Sequence, residues 1–192
     1  MDSNVIAAEI IAELGSAPAR TLPQSELAAR LQRAPDEVST ACDLLAAWGR
    51  LAVDADGRAT LLHGRGHGGS RLILVAENSM AVAHVLAALL DGEGYGVLIA
   101  RTLALATSIV RTLPVDLVIA DSFAPTAGAA LRLLAELRDL ALPAPVLLFT
   151  GHRDVPEAAA RAAGYAGMLP KPFDIDELLA RVGAALDREA SA

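Results

Sequence analysis

Residues 114–125 read PVDLVIADSFAP: an apolar run, broken once at Asp116, that closes on Asp121 and gives way to the turn formers Ser122 and Pro125. A short apolar run bounded by turn residues suits a strand buried on both faces. Four more such runs flank it, at 72–75 (LILV), 97–99 (VLI), 146–149 (VLLF) and 167–169 (GML). Between them apolar residues recur at helical spacing over 82–90, 103–113, 129–140 and 156–163, the last closed by Gly164. A final helix is expected from Asp174, with Glu177 completing a capping box, to about residue 187. This alternation specifies the α/β class, with a five-stranded, parallel, doubly wound sheet. Ligands of such sheets bind off the carboxyl ends of the strands. The residues at those ends are Glu77 and Asn78, Asp121, Thr150 and Lys171.

The stretches LILVAENS (72–79), PVDLVIADSFAP (114–125), VLLFTGH (146–152) and GMLPKPF (167–173) jointly resemble the receiver domains of two-component response regulators, over a span from about residue 71 to residue 186. The resemblance implies a flavodoxin-like receiver fold and phosphorelay signalling, with Asp121 as phosphoacceptor. By the same likeness the Lys171 ammonium and the Thr150 hydroxyl bind phosphoryl oxygens, and Mg²⁺ is held by Asp121, the acidic pair and the Phe123 backbone carbonyl. It also implies a cis peptide at Lys171–Pro172 that sets the direction of the lysine. The residue types suit the reaction, because phosphoryl transfer to a carboxylate depends on positioning and on neutralising charge, and a hard cation takes oxygen ligands. The donor would be a sensor histidine kinase or a phosphotransfer protein.

Three departures from the family pattern stand out. Glu77 is a common variant of the first acid, but Asn78 replaces the second, so the site carboxylates fall from three to two. A unit charge pair at 4 Å is worth at most about 4 kcal/mol at an effective dielectric of 20; weaker Mg²⁺ binding and slower phosphorylation are expected. Met168 stands where the family usually carries the Phe or Tyr that turns inward on activation, and methionine, which fills gaps in several rotamers, is a poor two-state reporter. The segment SFAPTAG after Asp121 looks one residue shorter than usual. A phosphorylation-independent pseudo-receiver serving as a protein-interaction scaffold therefore remains open beside the phosphoacceptor.

Upstream, residues 64–70 (GRGHGGS) read as a glycine-rich linker that separates a module at 1–63 from the receiver at 71–192. His63 and His67 could suggest a metal, but glycines do not aim two imidazoles at one ion. Residues 4–62 read as three helices and a hairpin. Pro35 opens the third helix, Gly49 ends it, and Asp54–Gly57 turns between two short strands. Cys42 falls on that helix's apolar stripe, as a small core residue. The stretch LPQSELAARLQRAPDEVSTACDLLAAWGRLAV (22–53) resembles a winged helix-turn-helix, although its turn lacks the usual glycine.

Such modules often seat the third helix in the major groove of DNA. Here its outward positions, Asp36, Ser39, Thr40 and Asp43, carry no base; Arg33, Arg50 and Arg58 are the candidates for edge contacts. Acids there would repel phosphates. Protein binding or homodimerisation and DNA-binding transcription control are both open.

The whole chain agrees with this picture. Its 192 residues are 54% hydrophobic and carry a net charge of −7, with −4 up to Gly64 and −3 beyond, so neither part has the basic excess of a strong nucleic-acid binder. The single cysteine excludes an internal disulfide, the acidic N-terminus is no signal peptide, and no apolar stretch is long enough to span a bilayer. A cytoplasmic protein is expected. No Ser-His-Asp or Cys-His set is evident around His84 or His152, so the expectation is not an enzyme.

Overall fold

The computed structural model describes residues 3–62, 70–124, 126–151 and 156–189. Residues 64–69 of the expected glycine linker, with His63, His67 and His152, lie outside the described residues.

The first part runs α1 (Ser3–Ser16), a short 3-10 turn (Pro18–Arg20), β1 (Thr21–Pro23), α2 (Gln24–Leu31), α3 (Pro35–Ala47), β2 (Leu51–Val53) and β3 (Arg58–Leu61). The three strands form one antiparallel sheet in the order β1-β3-β2. The α2–α3 turn works without glycine because Gln32 takes the left-handed conformation itself (φ +52°), while Arg33 N–H bonds back to the Ala28 carbonyl at 3.0 Å. Glu37 reaches back to the Ala34 N–H at 3.1 Å, so this acid satisfies one orphan donor at the start of α3. Val38, Ala41, Cys42 and Leu45 form the buried stripe.

The second part alternates β4 (Leu72–Ala76), α4 (Met80–Gly92), β5 (Gly96–Ala100), α5 (Leu103–Thr112), β6 (Leu117–Asp121), α6 (Ala127–Leu133), α7 (Ala135–Ala141), β7 (Val146–Thr150), α8 (Glu157–Ala162), β8 (Gly167–Pro170) and α9 (Ile175–Glu189). All pairings in its sheet are parallel, in the order β5-β4-β6-β7-β8. Ile73, Val75, Ile119, Leu147 and Phe149 face α4 and α9; Leu74, Val118 and Leu148 face the α5 side. This split follows from alternation along each strand. Three local expectations change. The helix expected at 129–140 is two helices meeting at Leu134. The third strand, expected at 115–120, starts at Leu117, and the Asp116 carboxylate accepts a buried hydrogen bond from the Leu72 N–H at 2.6 Å. Asp174 Oδ1 does cap α9, accepting from the N–H groups of Asp176 and Glu177, but the Glu177 carboxylate turns to Arg181 at 2.9 Å instead of closing the box.

The two parts pack directly on one another through α1. This helix crosses the outer edge strand β5, placing Val5 in the cluster with α4 and Ile6, Ile10, Ile11 and Leu14 in the cluster with α5. An edge strand is thereby covered, one of the ways proteins avoid unwanted strand pairing. Two glycines permit the close approach. A Cβ on Gly96 would sit 2.9 Å from the Trp48 ring, and one on Gly15 would collide with Thr112. Arg20 donates to the Thr112 carbonyl at the end of α5, where a cation also suits the helix dipole. Arg50, beneath this interface, pairs with Asp116 at 3.4 Å with both side chains only 1% exposed. None of the described helices is long and apolar enough to cross a membrane.

Candidate functional site

Parallel register brings the ends of β4, β6 and β7 level: Ala76 pairs with Ala120 and Asp121 with Phe149. The residues at or just past those ends therefore meet although they are far apart in sequence. Glu77 is 1% exposed and splits its carboxylate, Oε1 accepting from the Ser79 N–H at 2.8 Å and Oε2 from Lys171 Nζ at 2.6 Å. Asp121, 13% exposed, accepts from the same ammonium on Oδ1 at 2.6 Å and from the Phe123 N–H on Oδ2 at 3.2 Å. Lys171 thus bridges two carboxylates contributed by different strands.

Thr150 closes β7 and is buried, and its carbonyl accepts from the Lys171 N–H at 2.8 Å. The Lys171–Pro172 peptide is cis. Phe123 adopts a left-handed conformation (φ +46°), uncommon for a side chain of its size and of the kind that gathers at functional sites. Its amide turns back onto Asp121. Asn78 is exposed and stands outside the Glu77–Lys171–Asp121 bridge.

Two carboxylates, Glu77 and Asp121, meet at one ammonium and offer only oxygen donors. Mg²⁺ typically keeps several waters and uses only one or two protein carboxylates together with phosphate oxygens, so these residues fit such an ion. Among the described residues no group of three or more His, Cys, Asp or Glu is placed to hold a metal.

Met168, on β8 opposite Leu148, is half-buried and packs against the α5-side core. Nearby Tyr165 is buried, donates its hydroxyl to the Leu131 carbonyl at 2.9 Å, and lies under the Arg138 guanidinium at 5.5 Å. Burial pushes its phenol above the usual range, against the pull of Arg138.

The candidate contacts in the first part separate. Thr40, Asp43 and Arg58 are exposed and Ser39 is half-exposed. Arg33 pairs with Glu9 at 3.0 Å. Arg50 is corrected outright: it is sealed inside and bound to Asp116, so it reaches no outside partner. A signal for this existed in Asp116, because a charge set in an apolar run that becomes buried has to find a partner. The sequence reading also passed over Phe149, whose ring lies 4.3 Å from the Lys171 ammonium.

Beyond this geometry, the sequence profile of the response regulator receiver domain matches residues 73–183. The chain belongs to the response regulator receiver family. It is 32% identical over 121 residues to the transcriptional regulatory protein GlrR of Escherichia coli K12, covering 62% of this chain and 27% of that one. It is 34% identical over 117 residues to the response regulator MprA of Mycobacterium sp. strain KMS, covering 60% and 50%. The chain thus spans half or less of the length of these two relatives. Among solved structures, the receiver domain of the Francisella response regulator 1452 superposes with a TM-score of 0.54 at 25% identity, covering 62% of this chain and 98% of that one.

Proposed function

We propose that this receiver is an atypical response regulator that accepts a phosphoryl group on Asp121 from a sensor histidine kinase or phosphotransfer protein, working in the cytoplasm. The observation that carries the reading is the Lys171 ammonium held 2.6 Å from both Asp121 and Glu77 at the strand ends. In the transfer, an Asp121 oxygen forms the new bond to phosphorus as the donor's bond to phosphorus breaks. Lys171 exchanges its contact with Asp121 for one with a phosphoryl oxygen, and the Thr150 hydroxyl donates to another. Glu77, Asp121, the Phe123 carbonyl and the Asn78 amide oxygen would hold Mg²⁺, which when bound would neutralise charge on the phosphoryl oxygens. With Asn78 in place of an acid, and with Glu77 and Asp121 already paired to Lys171, Mg²⁺ would bind more weakly here than in a three-acid site. No catalytic activity beyond receiver phosphorylation and hydrolysis is assigned.

Residues 1–63 act as a winged-helix-like output or dimerisation module, joined through 64–70 to the receiver at 71–192. The exposed positions of α3 (Asp36, Thr40, Asp43) and of the hairpin turn (Asp54, Asp56) are acidic or neutral, which favours a protein partner or a second copy over DNA.

Intact mass after treatment with acetyl phosphate and Mg²⁺ tests the acceptor: one phosphoryl group is gained, and none in Asp121→Asn. No gain in the wild-type chain would instead make it a pseudo-receiver scaffold. Salt-sensitive binding to duplex DNA in a mobility shift at low salt would make the module a DNA reader.

A further inference from the structure

We propose that Phe149 is a positioning residue for Lys171, its ring holding the ammonium over the acceptor site while the ammonium changes partners; this rests on the phosphoryl-accepting reading of Asp121. Lys171 Nζ lies 4.3 Å from the centroid of the Phe149 ring, well within the range where a cation is drawn to the electron-rich face of an aromatic ring. The ring is itself fixed. Phe149 is 1% exposed, sits on β7 between its register partners Asp121 and Leu169, and meets Phe173 edge-on with centroids 5.3 Å apart and planes at 71°.

An ammonium has three N–H donors and no acceptor. Here two donors are committed to the Glu77 and Asp121 carboxylates. When a phosphoryl group joins Asp121, the second of these contacts must be traded for a phosphoryl oxygen. The contact with the ring needs no trade, since the ring offers a diffuse negative face rather than an atom to be released. It keeps the ammonium from following the buried Glu77 carboxylate away from the reacting group. The contribution matters more where formal charge is short: with Asn78 in place of an acid, the site has one anion fewer to hold a cation. The ring supplies attraction of the same sign without a further charge.

Lys171 is the only lysine in the chain, so full-length protein labelled with [ε-¹³C]lysine gives a single ε-methylene resonance. A methylene above a ring face is shifted upfield. The wild-type signal should lie upfield of free lysine and return toward it in Phe149→Leu; a wild-type signal at the free position overturns the contact. For transfer, the initial rate of labelling by acetyl phosphate should fall about three- to tenfold in Phe149→Leu and stay within about twofold in Phe149→Tyr.

Phenylalanines carrying one, two or three ring fluorines, placed at 149 alone, nearly keep the shape while draining the ring face, and the rate should fall stepwise with each fluorine. A purely structural ring would leave that series flat, and a flat series overturns the proposal. If the wild-type chain takes up no phosphoryl group at all, the acceptor reading fails by itself, while the lysine resonance still decides whether the ring holds the ammonium.

Discussion

Strand β6 has an ion-paired aspartate at each end, and the two do opposite things. Asp121, at the carboxyl end, shares its lysine with Glu77 and stays partly open, with Lys171 26% exposed and Asp121 13%. Asp116, just before the strand begins, is bound to Arg50 and to the Leu72 N–H with its side chain 1% exposed. The first pair is open to solvent, as the proposed exchange of partners by its ammonium requires. The second is closed over by the packing of the N-terminal part on the sheet and holds in place the start of β4, the start of β6 and the segment that follows α3. The same side-chain chemistry would serve the proposed transfer where solvent enters, and it serves architecture where it does not.

Exchanging the roles of the two aspartates gives the sharpest contrast. Asp121→Asn should abolish phosphoryl uptake, read by intact mass, while leaving the urea midpoint close to that of the wild type. Asp116→Ala should do the reverse, costing about 3–5 kcal/mol because Arg50 is left as a buried charge without its carboxylate, with uptake retained in the folded fraction. The double change Arg50→Met with Asp116→Leu should recover much of that loss, since apolar replacement of a buried pair is often neutral or better. If Asp116→Ala instead leaves stability unchanged, the buried pair is not what fastens the two parts together.

A smaller effect is expected from Asn78→Asp, which restores a second acid beside Glu77. Mg²⁺ affinity should rise on the order of tenfold, about 1.4 kcal/mol and well below the 4 kcal/mol bound for a charge pair at contact. Isothermal titration checks it, and an unchanged affinity would mean that Asn78 is too exposed for an acid there to join the shell.

The smallest effect concerns Cys42, in the core of the N-terminal part. Burial, aided by Asp43, pushes its thiol up to about 11. The folded protein should therefore resist a thiol reagent near neutral pH. A group whose folded value is raised contributes stability that is present below its unfolded value and lost as pH rises through the folded one. Urea midpoints should thus decline between roughly pH 9 and pH 11, and Cys42→Ala should flatten the part of that decline due to the thiol.

How much of this was legible without coordinates depends on the range of each interaction. The five strands follow local pattern, whereas the left-handed conformation of Gln32, at a turn without glycine, carried no such mark. The break at Leu134 within a continuous helical pattern had no local mark. Glu77, Asp121 and Lys171 were identifiable because strand ends in a parallel sheet collect at one edge, although the bridge itself spans 94 residues between Glu77 and Lys171. Arg50 was misplaced for the converse reason: it follows the Gly49 turn beside a hairpin, a position that reads as surface, and nothing local points to a partner 66 residues away.

The sequence alone determined the alternation of elements, the parallel sheet and the polar residues presented at its carboxyl edge, because side-chain periodicity and turn chemistry act over a few residues. Only the tertiary structure decided that α1 lies across β5, that Asp116 turns inward to Arg50, and that a phenyl ring sits beneath the Lys171 ammonium. Those arrangements arise when separately formed elements fill one another's grooves, and such close packing is a property of the assembled chain rather than of any stretch of it.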